Sequence, residues 1–488
     1  MDKNIKEKTF FNLIWRFAER FLAQSVTLLV TIVLARILMP DDYAAVALIS
    51  VFVNICNIFV TKSFGNSLIQ KKNADDLDFS TVFYINIAMT LVMYVAIFIA
   101  APGISNFYGI PILCPLLRVM ALRIPCAAVN SVQNAYISRQ LKFKKYFFAT
   151  LTGTVVSAGV GIVMALRGFG AWALVFQYLT NTVVDTVFLW FTVKWRPKLM
   201  FSFRRAKFLF SYGGKLLASS LLEDLSIEIK VAAIGKVYTS ADLAYYTKGK
   251  QFPQIINTNI NESISGVLFP VLAKAQDNVQ TLKNYTSRII RTTSFVIFPL
   301  QFGMIAVAPQ FVSAILTDKW MGCVPYLRIM CLSFLLTPIL TANQQVIKAM
   351  GKSGSVLFIS FFRSIIGIAF VFILLPIGVE AIAWSATVIM AVVTILSAVL
   401  VGKLINYGVL FQIKDLLANI ILSASMALVV MFVGRLPVNN SLILLLIQVL
   451  TGIVFYVAFA WITKMESFQY AISFVKDKMK GRINNGNK

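Results

Sequence analysis

Apolar residues in this chain gather into fourteen runs of about twenty residues or more, and that spacing leaves few folds open. The runs are 10–37, 43–61, 79–101, 112–136, 146–166, 171–193, 208–235, 241–273, 286–316, 324–347, 355–376, 379–402, 414–434 and 441–463. A helix of roughly twenty residues covers a hydrocarbon core about 30 Å thick. In lipid every backbone polar group must be satisfied within the protein, so only helices or a closed barrel can cross. The run lengths, and the lack of an alternating in–out pattern, select helices over barrel strands. The expected fold is all-α and integral to the membrane, with about 14 transmembrane helices. Hydrophobic residues make up 58% of the chain and charged ones 13%, the latter about half the share in soluble proteins. The seventh and eighth runs fit least well, because both carry several charges.

The net charge of +25 follows the positive-inside rule. An N-terminus in the cytoplasm puts Lys71, Lys72, Arg139, Lys142, Lys144, Lys145, Lys194, Arg196, Lys198, Arg204 and Arg205 inside. The outer loops then keep little beyond Arg167, Lys236, Lys319 and Arg435. Both ends are expected in the cytoplasm, and the basic balance needs no nucleic acid to explain it. The linker 194–207, with cations alternating with Trp195, Leu199 and Phe203, reads as lying on an anionic inner leaflet. The amphipathic tail 466–488 invites the same reading.

Several chemistries fall away. The chain has no histidine, which removes His-based metal sites, Ser-His-Asp triads and the usual neutral-pH proton relay. Its five cysteines (Cys56, Cys114, Cys126, Cys323, Cys331) form no C-x-x-C and read as packing residues. The first run is too long for a signal peptide. No Walker motif is present, so this chain is expected to hydrolyse no ATP. The short outer loops leave no room for the catalytic groups of a polymerase or glycosyltransferase. No enzymatic activity, cofactor or metal is expected.

The chain also resembles itself. Residues 115–174 lie on 325–384 without a gap, with eleven identities at an offset of 210. They include Pro115/Pro325, Leu117/Leu327, Arg118/Arg328, Met120/Met330, Gly168/Gly378 and Ala173/Ala383. A second echo joins Asp42 to Asp242 and Ala44 to Ala244. Two like halves predict a transporter that rocks one half against the other.

The stretches LARILMPDDYAAVALI (34–49), GFGAWALVFQ (168–177), IGKVYTSADLAYYTKGKQ (234–251) and DKWMGCVPYLRIM (318–330) place the chain more closely. It resembles the Wzx-type polysaccharide exporters of the multidrug/oligosaccharidyl-lipid/polysaccharide (MOP) superfamily, and among them the colanic-acid and teichuronic-acid exporters. The resemblance implies a MATE-like fold of two six-helix lobes, residues 1–200 and 201–405, with two helices appended at 406–465. It also implies a bacterial inner-membrane flippase for a polyprenyl-diphosphate-linked oligosaccharide, working beside a polysaccharide polymerase. Lys230 and Val231 stand near where the family commonly carries an acidic residue, which puts that coupling site in question.

Charges inside spans gain a target from this. Such a residue costs roughly 2.5–3.5 kcal/mol at a helix centre, so it usually faces an aqueous cavity. Arg20, Arg123, Lys215, Lys248, Lys250 and Arg363 are the candidates to clamp a diphosphate through charge-assisted bonds. Snorkelling or pairing with carboxylates is the alternative. Arg118, copied at Arg328, reads as a packing residue. Asp185, Glu223, Asp224 and Glu228 are ion-coupling candidates; Asp224 and Glu228, four apart, share a helix face. Pro125, Pro299 and Pro338 interrupt spans and offer hinges. A MATE-type exporter of cationic drugs is the competing function, although the basic excess within the spans favours an anionic cargo.

Overall fold

The computed structural model describes residues 22, 24–60, 68, 71, 74–140 and 143–469, without the side chains at 143, 208–216, 218–219, 259, 262–267 and 270. Among the described residues the chain is all helical, with no strand. Packing divides it into two units, Met1–Ala244 and Tyr245–Lys488.

The first unit holds α1 (Gln24–Ile37), α2 (Pro40–Ile58), α3 (Asp76–Tyr108), α4 (Leu113–Met120), α5 (Arg123–Gln140), α6 (Phe143–Leu166), α7 (Ala171–Thr192) and α8 (Phe203–Val237). The next helix, α9 (Ser240–Lys274), carries the division between the units. The second unit continues with α10 (Val279–Phe311), α11 (Val324–Leu335), α12 (Thr337–Ala349), α13 (Ser353–Leu374), α14 (Val379–Ile405), α15 (Val409–Val433) and α16 (Ser441–Ile462). Eleven helical segments among the described residues are long and apolar enough to span a membrane. The two 35-residue helices α8 and α9 are not among them, because charges in α8, and amides as well as charges in α9, interrupt their apolar character. Helix α8 packs on α2 and α3 in the first unit; a boundary at 200–201 follows the repeat, whereas this division follows contacts.

Local chemistry sets the helix ends. Pro40 opens α2, where its missing N–H costs nothing, and the Met39 amide donates to Asp42 Oδ2 at 3.0 Å. At α9 the Thr239 amide donates to Asp242 Oδ2 at 3.2 Å, so the two echoed aspartates make the same reach-back cap. Asp75 caps α3 by accepting from the Asp78 amide at 3.0 Å. Gly170 opens α7 at φ +54, and a Cβ there would stand 2.7 Å from Asp42 Oδ1. Only glycine suits that position.

The prolines behave unequally. Helices break just before Arg123-Ile124-Pro125 and at Leu336 before Pro338, as expected of residues lacking an N–H. Pro299 corrects the expectation of an interruption, because α10 runs unbroken past it and past Pro309. In membrane helices neighbouring groups absorb the missing bond.

Cores sit within each unit. In the first, Phe79, Val82, Val132, Ala149, Leu189 and Trp195 cluster, with Trp195 in ring contact with Phe79 at 5.6 Å. The linker therefore does more than lie on a leaflet. Lys198 pairs with Asp76 at 2.6 Å, and Arg205 reaches Asp78 at 3.2 Å and bonds Asp75. Leu199 and Phe203 remain 96% and 83% exposed, which keeps an apolar edge for the interface. In the second unit Leu282, Ile290, Phe298, Ile347 and Ile405 anchor the main core, and Val430, Leu445 and Tyr456 a second one beneath α15 and α16.

Candidate functional site

In the first unit a polar seam runs between α5 and α7. Arg123 and Asn130 are two helical turns apart on α5, while Tyr178, Thr182 and Asp185 follow at one-turn steps on α7, so each set shares a face. The Arg123 guanidinium donates through Nε to Thr182 Oγ1 at 3.1 Å and lies 5.2 Å from the centre of the Tyr178 ring. Asn130 Nδ2 donates to Asp185 Oδ2 at 3.3 Å one level further along. Thr182 and Thr186 turn their hydroxyls onto their own helix, to Tyr178 O and Thr182 O at 3.1 and 2.6 Å. A guanidinium has five N–H donors, and among the described residues Arg123 has no carboxylate partner. This is a cation held by neutral groups inside a span.

The acidic candidates divide. Glu228 on α8 accepts from Asn54 Nδ2 on α2 at 3.0 Å, and half-buried Asp224 lies one turn earlier on the same helix. Glu223 is engaged as well, its backbone carbonyl accepting from Ser226 Oγ at 2.7 Å.

In the second unit the run Lys248-Gly249-Lys250 brings a cation into a tight crossing. A Cβ on Gly249 would fall 2.7 Å from Tyr326 Cβ and 2.8 Å from the Leu327 amide, so glycine lets α9 close on α11. Lys248 beside it is 3% exposed, with Nζ 3.3 Å from Gln251 Oε1 and 5.3 Å from the Trp320 ring centre. Tyr245 fixes this corner by donating to Lys319 O at 3.1 Å. Lys250 and Arg363 are half-buried and each engages other groups. Arg20 and the Lys215 side chain lie outside the described residues.

The packing expectation for Arg118 and Arg328 holds. Each Nε donates to a carbonyl of the preceding long helix, Phe98 O at 3.3 Å and Ile305 O at 3.2 Å. Other polar groups gave little warning in the sequence. Buried Asn343 binds Ser397 Oγ at 3.2 Å and exchanges bonds of 3.1 and 3.0 Å with Gln412. Arg291 on α10 pairs with Asp415 at 2.6 Å and with Glu466, while Tyr407 donates to the same Asp415 at 2.6 Å. Amides were the only signal for the first group, Asn343 inside an apolar run and Gln412 just before one. For the second, Arg291 and Asp415 stand 124 residues apart and nothing local joins them.

These features define a multi-pass helical membrane protein with cations set among neutral partners inside it. Over residues 33–325 the chain matches the family model described as "Polysaccharide biosynthesis protein", and it belongs to that family. It is 25% identical over 301 residues to the teichuronic acid biosynthesis protein TuaB of Bacillus subtilis, covering 61% of this chain and 62% of that one. It is 25% identical over 327 residues to the succinoglycan biosynthesis transport protein ExoT of Rhizobium meliloti, covering 67% and 66%. These matches span a little under two thirds of each relative's length. Among solved structures, lipid II flippase MurJ in an inward closed conformation matches with TM-score 0.76 at 16% identity, over 93% of this chain and 98% of that one. That likeness shows the fold, and the resemblance to polysaccharide exporters is borne out.

Proposed function

We propose that the protein is a flippase that carries a polyprenyl-diphosphate-linked oligosaccharide from the cytoplasmic to the outer leaflet of a bacterial inner membrane, by alternating access. The observation that carries this reading is Arg123. A guanidinium in a membrane span with a hydroxyl and an aromatic ring for company, and no carboxylate partner among the described residues, favours an anion. A diphosphate satisfies it through charge-assisted bonds. Lys248 adds a second buried cation, and Arg20, Lys215, Lys250 and Arg363 complete the proposed set. The names of the relatives, which speak of teichuronic acid biosynthesis and succinoglycan transport, support a polysaccharide precursor as cargo. The internal offset of 210 supports two six-helix halves in parallel orientation. Asp185, Glu223, Asp224 and Glu228 are the proposed ion-coupling groups, and a polysaccharide polymerase the proposed consumer of the product.

Cells carrying Arg123→Gln or Lys215→Gln should lose surface polysaccharide while keeping normal protein levels, and should accumulate lipid-linked repeat units on the cytoplasmic leaflet. Lys215→Arg should keep partial activity, because a guanidinium still binds phosphate. Normal polymer in both Gln variants, with reduced resistance to cationic dyes, would replace this reading with drug export.

A further inference from the structure

Two cavities flank Arg291 at the end of the second unit that the charge asymmetry assigns to the cytoplasm. One, of about 630 Å³, is lined by Asn284, Ser287, Arg288, Thr292 and Gln469. The other, of about 580 Å³, is amphipathic: Lys414, Lys464, Asp415 and Glu466 line its polar part, and Ala418, Leu422 and Phe459 its apolar part. Arg291, Glu466 and Ser467 border both.

The charges there are unevenly satisfied. The two terminal nitrogens of Arg291 are taken by Asp415 and Glu466, which leaves those three groups with a net charge of −1 between them. Its Nε is buried with no hydrogen-bond partner among the described residues. Lys414 and Lys464 have no ion-pair or hydrogen-bond partner for their ammonium groups among the described residues. The junction is otherwise rigid: Asn419 donates to Arg291 O at 2.9 Å and to Ser294 Oγ at 2.8 Å, and Tyr456 donates to Phe295 O at 2.7 Å. A pocket lined by two ammonium groups with no partner among the described residues, and by apolar side chains of α15 and α16, suits one ligand chemistry. That ligand has a phosphate at one end and a hydrocarbon chain at the other.

We propose that this cavity between α10, α15 and α16 binds an acidic glycerophospholipid of the cytoplasmic leaflet, its phosphate held by Lys414 and Lys464 and one acyl chain lying over Ala418 and Leu422. The site is separate from the cations assigned to cargo. It does not depend on what the protein transports.

Native mass spectrometry of the purified full chain, exchanged into detergent with phosphatidylglycerol, phosphatidylcholine or inorganic phosphate, tests this. The parent should retain phosphatidylglycerol in preference to phosphatidylcholine. A cation near an anionic lipid surface contributes enough that Lys414→Gln and Lys464→Gln should each lower retention about fivefold. The corresponding Arg variants should retain the lipid. Ala418→Trp, at an exposed position, should displace it by filling the apolar end with every charge in place. A folded Lys414→Gln/Lys464→Gln chain, with unchanged melting temperature and retention equal to the parent's, overturns the proposal. So does displacement of the lipid by millimolar inorganic phosphate, which would mean that free phosphate is the ligand. Should the double variant not fold, retention by Ala418→Trp at the parent's level overturns it independently.

Discussion

The two units make several like contacts at positions 210 residues apart and differ in what lies beside them. Arg118 and Arg328 make the same bond to the helix before them, at 3.3 and 3.2 Å. Ala173 and Ala383 are both fully buried, as are Leu117 and Leu327. Along the seam beside them the correspondence fails. The 210 offset that pairs the arginines sets Arg123 against Ser333, Asn130 against Leu340 and Asp185 against Ile395. The first unit therefore carries a charged seam where the second carries a hydroxyl and hydrocarbon. The second unit keeps its buried cation elsewhere, at Lys248 on α9, and puts neutral amides at Asn343 and Gln412. The arginine contacts to a helix carbonyl recur, whereas Arg123, Asn130 and Asp185 of the seam do not. Each unit therefore holds a cation inside its helices, at Arg123 in the first and at Lys248 in the second, at positions that the 210 offset does not relate.

That difference can be attacked directly. The largest effect is expected at the seam: Arg123→Gln should abolish polymer export, while its counterpart change Ser333→Ala should leave export within about twofold, since it removes only a bond to Ala386 O at 3.5 Å. Equal loss in both variants, in a surface-polysaccharide assay normalised to protein level, would show the seam to be structural.

Next in size is Gly249→Ala. Its Cβ would meet the Leu327 amide at 2.8 Å and Cys323 O at 2.9 Å, backbone atoms that cannot swing aside. Overpacking of this kind costs about 1–3 kcal/mol. A clear drop in melting temperature is expected in detergent, against almost none for Ala substituted at Gly367, where nothing stands within 4 Å. Comparable melting for the two variants would refute the close crossing of α9 and α11.

Arg118→Ala and Arg328→Ala sharpen the comparison at smaller amplitude. Each removes one charged donor from a backbone carbonyl, an effect of about 1–2 kcal/mol. Arg118→Ala should cost the more, because its guanidinium also stacks 4.2 Å from the Phe98 ring centre. Thermal unfolding of both variants side by side measures the difference, and a larger loss at Arg328 would contradict it.

The smallest expected effect is acidic. The Arg205 guanidinium beside Asp75 holds that carboxyl down from its ordinary value to about 2. A folded-state value below the unfolded one contributes stability at neutral pH that is lost as pH falls through the folded value. Asp75 is 53% exposed, so screening keeps the contribution small. Arg205→Gln should therefore flatten the stability profile slightly between about pH 4 and pH 2 and leave it unchanged above. An unaltered acid limb would remove the linker clasp from the account of the first unit.

Most of the membrane architecture was legible in the chain itself. A run of about twenty apolar residues asks for a helix long enough to cross the bilayer, and the body of each described run lies in a helix or in a pair of helices broken near proline, although helices such as α3 (Asp76–Tyr108) extend well past their runs. Arg118 was readable as packing because it had a copy. At Asp42 and Asp242 the sequence showed only the echo, and the structure showed that both aspartates cap their helices.

What the sequence determined by itself was therefore whatever depends on local or periodic pattern: helical class, the membrane character of the chain, the echo at an offset of 210, and the list of charges inside the apolar runs. The tertiary structure alone decided which of those charges have which neighbours. Arg123 finds Thr182 from 59 residues away, Glu228 finds Asn54 from 174, and Arg291 finds Asp415 from 124. The physical reason lies in the range of the forces. Burial in lipid acts on each helix separately and is written in composition. A hydrogen bond or ion pair acts within a few ångströms, and only the packing of distant helices brings its two ends that close.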